Sequence, residues 1–229
     1  TTEIYTLSLH DALPISITYH PLRKDNVKWK PGGLPSKEKR AVMARFEKEV
    51  LGAKTQFEEA RGSLIRIHKA ALDTVSRKIR LEGSFGEWAF KELTAVEIEK
   101  IDEDAFNEVK NIFAPLRSAI SEYAGDHPDA VSLWYRKVGC SITFGGEEPR
   151  DFSFVKIWNG KNKWSKHVRP DRKRTAMVLE FEEIMDECVR KFEEKHEGVF
   201  NIEDVLLNIK TGYSRVRGWF KWELQYGRN

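Results

Sequence analysis

The densest concentration of chemistry-bearing side chains in this 229-residue sequence is KNKWSKHVRPDRKRT, residues 161–175. Lys161, Lys163, Lys166, Arg169, Arg172, Lys173 and Arg174 stand against one acid, Asp171, with Trp164 and His167 interleaved. Clustered cations neutralise phosphates and release their condensed counterions, and an indole offers a face on which an unpaired base can stack. The pattern suits sequence-tolerant nucleic-acid binding, with Arg215 and Arg217 as further contacts. The competing reading is a hydrated basic loop, or one paired with the acidic helix that follows it at Glu180, Glu182, Glu183, Asp186 and Glu187.

A second candidate pair, Arg61 and His68, lies in a stretch of strong helix formers, where residues seven apart share a face. Their Arg-x6-His spacing resembles the RNA-cleaving motif of HEPN ribonucleases, which implies acid–base chemistry on a 2′-hydroxyl and its phosphate. The resemblance covers only the stretch from Arg61 to His68, and Gly62 stands where that family has a polar residue. Flanked by Ile65 and Leu72, His68 equally suits a packed helical position.

Other patterns give no site. His127-Pro128-Asp129 is similar to the J-domain tripeptide, but neither a helical hairpin nor a basic helix surrounds it, so it reads as a helix-ending turn. Asp102, Glu103 and Asp104 open a helix, where carboxylates favour the dipole. The six histidines are dispersed, Cys140 and Cys188 lack CxxC spacing, and neither a glycine-rich phosphate loop nor a GxSxG turn occurs. No metal or cofactor is expected, and both cysteines read as small core residues.

These groups need a scaffold. Residues 17–35, with three prolines and a Gly-Gly pair, read as an irregular arm. From Ser36, a good N-cap, to Glu82 no proline occurs, and Gly83 is a natural stop, so the sequence predicts a long helix or helical hairpin. Met43, Phe46, Val50, Ala53, Phe57, Ala60, Leu64, Ile67 and Ala71 form a coiled-coil-like heptad seam along it, for self-association or docking of a protein partner. Gly52 and Gly62 are the points at which that helix could break. Phe85, Trp88 and Phe90 anchor a short helix, Thr94 to Glu97 is a capping box, and 102–124 is helical with Pro115 inside it. From Val131 to Phe144 and from Phe152 to Trp158 the pattern becomes a β-meander. An amphipathic helix follows at 175–194, then strands at 199–210 and 213–226, where Phe220, Trp222 and Leu224 alternate with Lys221 and Glu223. No internal repeat is visible.

Residues 1–15 (TTEIYTLSLHDALPI) match the forward translation of a widely used sequencing adapter and are read as a non-native, assembly-derived segment of metagenomic type. The fold class expected for the rest is α+β: a long N-terminal helix, further helices, then a small antiparallel sheet with one packed helix. The divisions are an arm at 16–35, a helical region at 36–125 and an α+β region at 126–229. A net charge of +3, 40% hydrophobic residues and no apolar run of membrane-spanning length exclude a disordered tail and a membrane helix. The expected protein is a non-enzymatic, cytoplasmic nucleic-acid binder. The alternatives are a protein-directed module of a phage or mobile element (structural, assembly or immunity) and a HEPN-like ribonuclease.

Overall fold

The computed structural model describes residues 16–19, 37–73, 76–86, 99–147, 149–157, 160–165 and 171–225, excluding the side chains of 16–19, 38, 39, 42 and 43. A nine-stranded, wholly antiparallel sheet dominates it, in the order β1-β2-β3-β9-β8-β4-β5-β6-β7. The strands are β1 (Ser16–Tyr19), β2 (Ile65–Asp73), β3 (Lys78–Gly86), β4 (Ala130–Arg136), β5 (Gly139–Phe144), β6 (Arg150–Ile157), β7 (Lys161–Trp164), β8 (Phe200–Asn208) and β9 (Tyr213–Gln225). The helices among the described residues are α1 (Lys37–Ala60), α2 (Glu103–Ile112), α3 (Ala114–Asp126) and α4 (Arg172–Lys195). Asp102 caps α2 by accepting from Ala105 N (3.0 Å), Asp171 caps α4 by accepting from Arg174 N (2.8 Å), and Pro115 sits in the first turn of α3, where its missing N–H costs nothing.

All four helices lie on one side of the sheet. Leu133, Tyr135, Cys140, Ile142, Phe152, Phe154, Val205 and Val216 point toward them, and Leu116, Ile120, Val178, Phe181 and Met185 meet these from the helices, every one almost fully buried. The period-2 alternation of the strands sends the intervening residues to the opposite face, where no described helix packs.

The chain contains the same unit twice. α1, β2 and β3 superpose in sequence on α4, β8 and β9 at a constant offset of 135, which takes Lys37 onto Arg172 and Ala60 onto Lys195. Phe46-Glu47 recurs as Phe181-Glu182, Phe57-Glu58-Glu59 as Phe192-Glu193-Glu194, and Ile67, Leu72, Arg80, Gly83 and Phe85 as Ile202, Leu207, Arg215, Gly218 and Phe220. Local devices recur too. Each helix ends where Ser63 N or Gly198 N donates to the carbonyl of Glu58 or Glu193 (2.8 and 2.9 Å), with Gly62 and Ser63, or Glu197 and Gly198, at positive φ. Each following strand carries a bulge, after Ile67 and after Ile202, and the N–H of that isoleucine donates to the carboxylate of the same glutamate, Glu58 (2.7 Å) or Glu193 (2.8 Å).

The copies meet along β3 and β9 about a local two-fold axis. Gly83 pairs with Phe220, and Phe85 pairs with Gly218. Each phenyl ring lies over the glycine of the other copy: a Cβ on Gly83 would stand 2.5 Å from the Phe220 ring and 2.1 Å from Arg66 O, and one on Gly218 would stand 2.6 Å from the Phe85 ring and 2.1 Å from Asn201 O.

These findings overturn the expected architecture. The sheet is large rather than small, four helices rather than one pack on it, and the helix expected from 36 to 82 stops at Ala60 and gives way to the β2–β3 hairpin. The reason is the bulge. Strand positions facing the helices in β2 are Ile65, Ile67, Ala70 and Leu72, and the extra residue turns a step of two into a step of three that mimics helical spacing. Phe85 belongs to β3 rather than to a short helix. The Ser36 cap, Trp88, Phe90 and the Thr94 to Glu97 box lie outside the described residues, as do residues 1–15 and most of the arm. The repeat was not seen in the sequence because its identities are scattered among substitutions.

Gly83→Ala and Gly218→Ala should each lower the urea unfolding free energy by about 2 kcal/mol or more, because a methyl group there collides with backbone as well as with a ring. A change within experimental error at both positions would show that the seam has slack.

Candidate nucleic-acid interface

The candidate cations separate into three groups. Lys161 and Lys163 are exposed on the edge strand β7, paired with Ile157 and Val155 and projecting to the helix-free face. Lysines here also block edge-to-edge association of sheets. Arg172 and Lys173 are exposed at the start of α4. Arg174 is engaged: its guanidinium lies over the rings of Phe144 and Phe152 (5.2 and 5.1 Å) and pairs with Asp171 (3.3 Å). Lys166, His167 and Arg169 fall outside the described residues.

Trp164 is not a free stacking face. It turns toward the core, with its ring centroid 5.1 Å from that of Phe154. The acidic side of α4 does not partner the basic segment among the described residues. Lys156 of β6 takes Glu182 (2.9 Å) and Asp186 (2.8 Å), Tyr135 donates its hydroxyl to Asp186 (2.6 Å), and Glu187 holds Arg190 and Lys191. Burial works to lower the Lys156 ammonium, but its hydrogen bonds to the two carboxylates outweigh that and hold it above the usual lysine range.

Arg215 and Arg217 stand on the helix-free face around the buried carboxylate of Asp204, which is 1% exposed. Arg215 donates to Oδ1 through Nε (3.1 Å), with Nη2 also at 3.1 Å, and Arg217 Nη2 lies 2.6 Å from Oδ2 while its Nε approaches Glu203 (3.4 Å). The pair is thus largely neutralised. Arg136, opposite Asp204 in the neighbouring strand, lays its guanidinium over the Trp134 ring at 4.3 Å. Two arginines and a third nearby against Asp204 and Glu203 leave a modest positive excess at the sheet centre.

Sequence reasoning missed the group next to this cluster. Trp219 is 50% exposed and lies on the same face, at the local two-fold axis, opposite Ser84. His68 stands beside it, ring centroids 5.7 Å apart, and shares a 2.7 Å hydrogen bond between Nε2 and Ser84 Oγ. Arg66 pairs with Ser84 across the strands and so joins the same face. The signal was present in the alternation of β9, where Arg215, Arg217 and Trp219 occupy every second position.

The placement of His68 also removes the basis of the nuclease reading. Arg61 lies in the turn after α1, its guanidinium 3.7 Å from the Phe57 ring and donating to Phe57 O (3.2 Å), whereas His68 belongs to a strand. The shared helical face that related them does not exist. Among the described residues, no group of His, Cys, Asp and Glu converges as a metal site, and no helix is long and apolar enough to cross a membrane. His127 packs on Tyr123 (4.1 Å) in the turn that ends α3. Cys140 is buried, its thiol pushed up to about 12 first by that burial, and Cys188 is half-buried with its thiol also raised by burial.

Asp204→Ala should cost about 1–3 kcal/mol in chemical denaturation, since it removes the acceptor that holds the partly exposed guanidinium groups of Arg215 and Arg217; a loss below about 0.5 kcal/mol would mean that the arginines simply turn to solvent. At pH 8.5 Cys140 should resist iodoacetamide in the native protein and react on unfolding, because its ionisation lies well above that pH only while folded. Rapid native labelling, mapped by mass spectrometry, would contradict the buried assignment. Comparison of the chain with protein-family models, with curated proteins and with solved structures finds no match.

Proposed function

We propose that this is a non-enzymatic binding protein that holds a single-stranded nucleic acid along the helix-free face of its sheet. The observation that carries the reading is Trp219, a half-exposed indole at the centre of that face, bracketed by His68 and set among Arg66, Arg215 and Arg217. An aromatic platform accepts any base, and the modest positive excess left around it by the arginines favours the phosphate backbone, so the arrangement suits binding with little sequence preference. Lys161 and Lys163 extend the positive surface to the β7 edge, and Arg172 and Lys173 add charge where α4 begins. Relative to the basic segment alone, the centre of contact moves to the sheet. An intracellular setting, cytoplasmic in the first instance, goes with such a ligand.

The test is fluorescence anisotropy with labelled oligo(dT) and oligo(U) at several salt concentrations. Affinity should fall steeply with salt, and Trp219→Ala should weaken binding by about 1–3 kcal/mol, some five- to 150-fold, with circular dichroism unchanged. Lys161→Ala with Lys163→Ala should flatten the salt dependence by about one unit of slope per lysine, with the loss of affinity largest at low salt and shrinking as salt rises. Absence of binding at low salt, or affinity indifferent to Trp219, would remove the proposal.

A further inference from the structure

We infer that the groove between α1 and the β2–β3 hairpin is a docking site for an amphipathic α-helix of a partner protein. The groove holds about 310 Å³ and is lined by Phe46, Val50, Ala53 and Phe57 of α1 and by sheet residues that include Ile67 and Leu81. Among the described residues Lys54 supplies the only charged side chain of the lining, and it is paired with Glu58 (2.9 Å). A small polar ligand would find no convergent donors or acceptors there.

The internal repeat identifies the occupant. The six lining residues just named map onto Phe181, Met185, Cys188, Phe192, Ile202 and Val216 of the second copy, where the equivalent groove holds α3. Phe113, Leu116, Ile120 and Tyr123, spaced three, four and three apart, fill it: the Tyr123 ring lies 5.1 Å from Phe181, the Phe113 ring 5.7 Å from Phe192, and Cys188 Sγ donates to Pro115 O (3.8 Å). Leu116 and Ile120 are wholly buried by this seating, as are Phe181 and Met185. In the first copy Phe46, Val50 and Phe57 are only half-buried, and Trp222 and Leu224, continuing the same face of β9, are 45% and 39% exposed. Chain and fold have therefore built one groove for a helix and filled it, and built its counterpart with the same aromatic anchors. Recognition of a helix through apolar residues one turn apart is the mode this geometry serves.

The experiment uses the full chain and, as probe, a fluorescein-labelled peptide with the sequence of residues 111–127. Saturable binding by anisotropy is expected. It should weaken at least about tenfold for the chain carrying Val50→Asp or, independently, Ala53→Arg, each checked for an unchanged thermal transition, and for a peptide carrying Ile120→Asp. Oligonucleotide binding should be unaffected by either chain variant, which separates this site from the sheet face. No binding by the unaltered chain, as would follow if another part of the chain filled the groove, overturns the inference; so does binding that ignores both groove variants.

Discussion

Close backbone approach at Gly83 and Gly218 is the constraint from which the architecture follows. Only residues without a Cβ let Phe220 and Phe85 lie across the neighbouring strand while the carbonyls of Arg66 and Asn201 stand against the chain. The two rings then close the centre of the sheet beneath the helices: Phe85 stacks on Phe113 (4.5 Å) and meets Phe200 edge-on (5.7 Å), and Phe113 reaches Phe192. The β3/β9 seam and the helix layer are thereby tied to one point. Loss of that fit would weaken the pairing of β3 with β9, and with it the junction of the two copies.

The same sheet sorts chemistry by face. Toward the helices it is almost wholly apolar, and its one cation, Lys156, is held between Glu182 and Asp186 among the described residues. Away from them it carries indole, imidazole and guanidinium groups, with Asp204 placed where three strands bring Arg136, Arg215 and Arg217 together. A buried carboxylate under arginines does not make a strong stabiliser, because desolvation takes back most of the Coulombic gain. Its effect is positional: it holds long side chains flat against the sheet, beside a tryptophan whose face stays open to solvent.

Much of the second half of the chain was legible in sequence, because its elements obey single periods. The apolar stripe of α4 and the alternation Phe220, Trp222, Leu224 in β9 each repeat without interruption. The first half was misread where a bulge after Ile67 broke the period of β2 and good helix formers filled the hairpin. At the candidate site, Arg215 and Arg217 were named from sequence and do share a face, but their neutralisation by Asp204 depends on strands that pair across a turn and could not be read from charge counts. Trp164 shows the converse limit. A tryptophan among lysines suggests exposure, yet its place opposite Phe154 in the β6–β7 register turns it inward.

The duplicated unit carries a further consequence. Two copies related by a two-fold axis through β3 and β9 have the geometry of a symmetric pair of subunits, yet here a continuous chain joins them. Their association is an internal equilibrium, fixed by tether length and indifferent to dilution. With the pairing held by covalent connection, each half is released from self-complementarity. One half has accordingly grown outward through β4 to β7, while the other has three strands on its side of the seam, β3, β2 and β1, among the described residues.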